Sequence, residues 1–216
     1  MSPVPAFTLR AAIVALALLG VSQARAQAPT ATGPAFDCKA SGLGTIEKMV
    51  CADPALAALD RKVAALYRQA QKKAVNEHPP VLRATQRGWV KGRNDCWKAE
   101  DKRACTEQSY IFRSIELQTG YRLAPLRGPF TFACDGDPRN EVIVNYFDTR
   151  PASLVAERGD SVSMMIQEPV ASGTLYVGRN EAIREHQGEA MIRWGYGAPE
   201  MRCVQSGPGG KGTPKS

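Results

Sequence analysis

The chain has 216 residues, 44% of them hydrophobic and 23% charged, with a formal net charge of +7. That length allows two small domains. Beyond the first 26 residues no long apolar segment occurs, which excludes a multi-spanning membrane protein. The charge is unevenly placed: residues 27–127 carry 17 Lys+Arg against 10 Asp+Glu, and residues 128–206 carry 7 against 11. A basic half therefore precedes an acidic one, with a boundary expected near Pro125–Pro129.

Residues 1–26 have the three parts of a secretory signal. Arg10 supplies the positive start, Ala11 to Val21 is an apolar run of 11 residues, and Ala24-Arg25-Ala26 is a small-x-small cleavage site. The run is too short for a spanning helix, which needs about 20 apolar residues. No Cys stands near the cleavage point, so no lipid anchor is expected. The expected location is periplasmic or secreted, soluble, with no stable membrane insertion. Residues 27–35 read as a Pro/Gly linker and residues 206–216 as a disordered tail. The tail lacks the spacing and the strand–helix setting of a phosphate-binding loop.

Helical signals fill the first half. Asp53-Pro54 pairs a capping acid with a Pro at the first helical position. Leu56, Leu59, Val63, Leu66 and Ala70 follow at helical spacing, and His78-Pro79-Pro80 is read as the stop. A second helix carries Val81, Leu82, Trp89 and Val90. A third runs from about Lys102 to Thr119 and ends at Gly120. The expectation for residues 36–122 is an antiparallel three-helix domain.

From residue 129 the period changes to two. Phe130/Phe132/Cys134, Val142/Val144/Tyr146, Val162/Met164/Ile166 and Ala190/Ile192/Trp194 alternate, with Gly-containing turns between the runs. Eight short strands are expected, at 129–134, 140–148, 152–157, 161–166, 174–178, 181–185, 189–194 and 200–204. Many short antiparallel strands at this spacing suggest a small barrel or sandwich over 129–205. The expected class is α+β, two domains.

Six cysteines, Cys38, Cys51, Cys96, Cys105, Cys134 and Cys203, are an even number in a chain expected to be exported, and read as disulfides. Zinc ligation would want CxxC pairs or clustered His, whereas the closest pair here has eight residues between. No metal and no cofactor is expected. A Cys134–Cys203 bond would fasten the first strand to the last, and its loop of about 70 residues is worth roughly 4 kcal/mol in the chain-entropy account. The other four can pair in three ways. Locality favours Cys38–Cys51 with Cys96–Cys105, without deciding it.

Several stretches of the helical half resemble the LprI-like family of exported four-Cys domains. They are Phe36-Asp37-Cys38, Val50-Cys51-Ala52-Asp53-Pro54, Leu56 to Asp60, Tyr67, and Gln86-Arg87-Gly88-Trp89 with Arg93, Cys96 and Cys105. That family includes a lysozyme-inhibiting lipoprotein. Read from the residues themselves, Asp60 and Arg93 are a candidate ion pair between helices, and Trp89 is a core candidate.

The strand half resembles the MliC-like inhibitors of c-type lysozyme. The carriers are Phe130-Thr131-Phe132-Ala133-Cys134, Val142 to Phe147, Ala171-Ser172-Gly173 with Tyr176, Gly188-Glu189-Ala190, and Cys203. The resemblance implies an eight-stranded antiparallel barrel. It also implies two loops that enter the lysozyme cleft, one with a Ser and one with a Lys. The Ser falls on Ser172, and the Lys position holds His186. Ile183-Arg184 stands where an aromatic pair is usual.

The implied lysozyme-binding set is Ser172, Gly173, Tyr176, His186 and Glu189. Ser172 can donate a hydroxyl proton, Gly173 permits a tight backbone, and His186 can donate, as a cation once protonated. Tyr176 reads equally as barrel core, and Glu189 either orients a loop or is solvated. An acidic barrel also suits a basic partner, mainly by speeding encounter.

Other apparent motifs have simpler explanations. Arg158-Gly159-Asp160 is a hairpin turn, and the acids from Asp135 to Glu141 miss the EF-hand spacing. With only His78 and His186, no Ser-His-acid set or GxSxG element is present. The Lys and Arg of the helical half are interleaved with acids, so no nucleic-acid partner is expected. The expected function is a periplasmic, non-enzymatic inhibitor of c-type lysozyme acting in host-defence evasion. The alternative is an envelope interaction or assembly protein on the same fold.

Overall fold

The computed structural model describes residues 33–206 apart from Pro79 and Gln187. The expected signal peptide, most of the linker and nearly all of the tail lie outside these residues. Four α-helices come first: α1 (Thr45–Ala52), α2 (Pro54–Lys73), α3 (Val81–Asn94) and α4 (Lys102–Gly120), with a 3₁₀ turn at Asp95–Lys98 after α3. Eight strands follow: β1 (Leu126–Cys134), β2 (Asp137–Phe147), β3 (Ser153–Arg158), β4 (Ser161–Glu168), β5 (Thr174–Val177), β6 (Glu181–His186), β7 (Glu189–Trp194) and β8 (Glu200–Ser206).

The helix termini follow from their caps. Asp53 accepts from the backbone N–H groups of Ala55 and Leu56 at 2.8 and 3.2 Å, and Pro54 opens α2 behind it. Asp101 accepts from Ala104 N at 2.8 Å at the start of α4. The stop expected at His78 comes earlier, because α2 ends at Lys73. Glu77 is drawn away to accept from Leu82 N at the start of α3, at 2.9 Å, and from the Tyr121 hydroxyl at 2.7 Å.

Helix α1 is the element that sequence periodicity missed. Its eight residues are too few to be stable in isolation, and its N-cap is Gly44, which has no side chain to offer. Glu47 instead reaches back to accept the Gly44 N–H at 2.9 Å. Ile46 and Val50, four residues apart, are both buried, and the Cys38–Cys51 disulfide ties the end of α1 to the chain before it. The local pairing is thus the one adopted, with Cys96–Cys105 joining the 3₁₀ turn to α4.

The helical core gathers Ile46, Val50, Leu56, Val63, Tyr110 and Leu117. Each large apolar side chain buried in this way contributes roughly 1.5–3 kcal/mol. The last residues of the expected linker are held against this core. Ala35 N donates to Asp60 Oδ2 at 2.7 Å, and the Arg61 guanidinium donates to the Gly33 carbonyl.

Every strand pairs antiparallel with its chain neighbour, and β1 pairs with β8, so the sheet closes into a barrel. Residues in two-residue phase fill it: Val142, Val144, Leu154, Ile183, Ala190 and Ile192 are fully buried. In β4 the inward residues are Ser163 and Met165, so the expected run Val162/Met164/Ile166 faces outward instead, with Val162 68% exposed. Cys134 and Cys203 are direct register partners across the closing pair, and their disulfide joins first strand to last. β8 extends to Ser206, which pairs with Thr131, two residues beyond its expected end. β1 begins at Leu126, before the expected 129. The helices and the barrel meet beside α4, where a cavity of about 370 Å³ is lined by residues that include Glu116, Thr119, Phe147, Val155 and Met164.

Candidate functional site

An up-and-down barrel presents alternate connections at opposite ends. The β2–β3, β4–β5 and β6–β7 connections therefore share one end with the start of β1. The β4–β5 connection, 169–173, carries Ser172 and Gly173, and His186 is the last residue of β6. Arg158-Gly159-Asp160 turns at the other end.

Gly173 fixes how the two loops meet. Its φ is +71°, a conformation that costs glycine little and other residues more. A Cβ at this position would lie 2.1 Å from the Glu185 carbonyl oxygen and 3.4 Å from His186 Nδ1. The Ser172 loop is thus laid directly on the end of β6. The next residue, Thr174, is the register partner of Glu185. Ser172 and His186 are both exposed, so their side chains face solvent from one continuous surface.

Tyr176 lies beneath that surface, whereas Glu189 is the register partner of His186 and is exposed beside it. Tyr176 is 8% exposed and belongs to the barrel interior. Its ring stacks edge-on against Tyr146 at 5.9 Å, and Tyr146 against Phe130 at 5.7 Å. These rings floor an open pocket of about 280 Å³ at the same end, also lined by Arg127, Thr174 and Glu185. Glu189 lies on the outer face of β7 and is held by Arg202 of β8, with Nε to Oε2 at 3.1 Å. The Arg202 hydrogen bond keeps the Glu189 carboxyl below the usual carboxylate range.

Sequence reasoning passed over Glu185. Ile183 and Glu185 share a strand face, so a buried Ile183 turns Glu185 toward the barrel mouth. Its carboxylate accepts from the Tyr146 hydroxyl and, at 2.9 Å, from Thr174 Oγ1. Burial first, and the Glu185 charge second, push the Tyr146 hydroxyl well above its ordinary value. The available signal was phase: an acid two residues after an inward Ile, opposite a Tyr in phase with Val142 and Val144.

In the helical half the expected Asp60–Arg93 pair forms, at 3.6 Å, with Tyr110 placed between the two. The Tyr110 hydroxyl donates to Asp60 Oδ1 at 2.8 Å and accepts from Arg93 Nη1 at 2.7 Å. Arg93 is 4% exposed, and its guanidinium lies 5.5 Å from the Trp89 and Tyr110 rings and 6.0 Å from Phe36. Trp89 is half-buried and donates to the Ser109 carbonyl at 3.2 Å. Every hydrogen-bonding group of this cluster that is shut off from solvent has a partner. All six cysteines are in disulfides, which leaves no thiolate to bind a metal. No helix among the described residues is long and apolar enough to cross a membrane.

Comparison with known proteins divides the chain at the same place as the fold. Residues 38–125 match the family described as lysozyme inhibitor LprI. Residues 132–201 match the family described as membrane-bound lysozyme-inhibitor of c-type lysozyme, MliC. Curated relatives include the proteins called Lipoprotein LprI from Mycobacterium bovis and Mycobacterium tuberculosis. Each is 29% identical over 184 residues, covering 84% of this chain and 89% of the relative. No solved structure matches the chain. The helical half is therefore similar to the LprI family and the barrel to the MliC family, in that order along the chain.

Proposed function

We propose that this chain is an exported, non-enzymatic inhibitor of c-type lysozyme, and that the Ser172 and His186 loops of the barrel enter the lysozyme cleft. The observation that carries the reading is the seating of Gly173 on the Glu185 carbonyl, which makes the two loops one face. A c-type lysozyme cleft holds two carboxylates, one acting as acid and one as anion. A plug for that cleft needs no nucleophile, only donors that meet the carboxylates and a shape that excludes sugar. Ser172 supplies a hydroxyl donor, and His186 an imidazole N–H, which becomes cationic on protonation. Residues 128–206 carry 11 acids against 7 bases, so a basic lysozyme is drawn to the barrel before the loops engage. Tyr176 acts from beneath, as the floor of the loop end, and Glu189 keeps the β7–β8 edge in place through Arg202.

The test adds purified protein lacking residues 1–26 to a c-type lysozyme clearing a cell-wall suspension. Clearance slows at about micromolar inhibitor, an affinity near 8 kcal/mol. Ser172→Trp abolishes the effect by filling the space the loop needs. Arg158→Ala, at the opposite end of the barrel, leaves it intact. Unslowed clearance with the parent protein overturns the reading, and full inhibition by the Ser172 variant moves the contact to another surface.

A further inference from the structure

Resting on the inhibitor reading, we propose that Glu185 is the positioning residue of the lysozyme-contacting face, tying the Ser172 loop and the His186 loop to strand β2 at the barrel mouth. Three attachments converge on this one residue. Its backbone carbonyl is the surface on which Gly173 sits. One carboxylate oxygen accepts from Thr174 Oγ1 at 2.9 Å, immediately after the Ser172-Gly173 pair. The other accepts from the Tyr146 hydroxyl, which comes from β2.

The chemistry suits a tie better than a contact. Glu185 is inward-facing and half-buried, so its carboxylate is spent on partners within the barrel rather than offered to a neighbour. Hydrogen bonds to an ionised acceptor are roughly twice as strong as neutral ones. A single inward carboxylate thereby joins β2, β5 and β6 where they would otherwise end in independent loops. Binding faces gain from being held to about 0.5 Å before the partner arrives, since ordering costs are then already met. His186 follows Glu185 directly, so any turn of that residue moves the imidazole as well.

The test uses Glu185→Ala, Glu185→Gln and Tyr146→Phe in the chain lacking residues 1–26, each checked for a cooperative melt. Two readouts are taken: amide hydrogen exchange in the free protein and slowing of a c-type lysozyme. The amides of residues 172–174 and 186 exchange faster in Glu185→Ala and Tyr146→Phe, with β7 and β8 unchanged. Inhibition weakens by about tenfold or more in Glu185→Ala, as loss of hydrogen bonds to a charged group implies. Glu185→Gln keeps an acceptor for Tyr146 and can donate to Thr174, so it stays within about threefold of the parent.

Unchanged exchange in both disrupting variants overturns the tie. Faster exchange with undiminished inhibition overturns the positioning role. If the parent protein fails to slow lysozyme, the inhibitor reading falls, while the exchange data still decide whether Glu185 holds the loops. If Glu185→Ala does not fold, Tyr146→Phe and Glu185→Gln carry the comparison.

Discussion

Gly173→Ala tests the geometry of the loop end with one carbon atom. At φ +71° an L side chain costs roughly 1–2 kcal/mol through its own backbone. The added Cβ would then stand 2.1 Å from the Glu185 carbonyl oxygen, where real Cβ contacts essentially never fall under 3.0 Å. Glu185 cannot retreat easily, because β6 is paired on one side with β5 and on the other with β7. The Ser172 loop must therefore rise by about 1 Å, twice the tolerance of a preorganised binding face. Gly159→Ala is the matched control. It has φ +55°, nothing within 4 Å of its Cβ, and a place at the opposite end of the barrel.

The two variants should share the backbone cost, each lowering the barrel's melting temperature by roughly 5–10 °C. They should differ in lysozyme assays, where Gly173→Ala loses about tenfold or more in inhibition, which is 1.4 kcal/mol, and Gly159→Ala loses none. Undiminished inhibition by Gly173→Ala would refute the argument, because the Ser172 loop would then have no contact to lose. Equal loss in both would refute it as well, by showing that general destabilisation and not local displacement controls binding.

Two further outcomes concern the cores. Tyr110→Phe removes the hydroxyl between Asp60 and Arg93 and should cost the helical domain roughly 1–3 kcal/mol, since two buried charges each lose a partner. Urea unfolding followed by helical circular dichroism measures this, and a change near zero would mean that the pair closes directly. At high pH, burial foremost holds the Tyr110 and Tyr146 hydroxyls above their ordinary value, and pushes Tyr121 up to about 12. The folded state then binds these protons more tightly than the unfolded chain. Their stabilising contribution is complete below about pH 10 and is lost as the pH climbs above it. Phenolate absorbance should show these tyrosines ionising late, with Tyr110→Phe and Tyr146→Phe each removing one late step. A single step near pH 10 with the fold intact would contradict the burial argument.

Much of the architecture was open to inspection as a string of residues. The Asp53-Pro54 cap, the 3.6-residue spacing through Ala70 and the change to a two-residue period after Pro129 are local signals, because backbone geometry repeats at short range. They specify helices and strands without any partner, and the even number of cysteines is likewise read directly from the chain. The Asp60–Arg93 pair was also visible as opposite charges on two amphipathic helices, although Tyr110 between them was not. Helix α1 stayed hidden because its support is non-local: a disulfide from Cys38 and burial under α2.

The loop end shows the same limit in its sharpest form. Residues around 172 and 186 could be marked as a candidate face by their type and by resemblance. Nothing local says that Gly173 must sit on the Glu185 carbonyl, or that Glu185 turns inward to meet Tyr146 from a strand some forty residues earlier. Those facts depend on how β5, β6 and β2 come round the closed barrel. Sequence by itself determined which residues could form strands and, for most strands, which face is apolar; in β4 the alternating Val162, Met164 and Ile166 face outward while Ser163 and Met165 turn into the barrel. Only closure of the barrel decided which strand ends meet, because register across a sheet is set by pairing partners far apart in the chain.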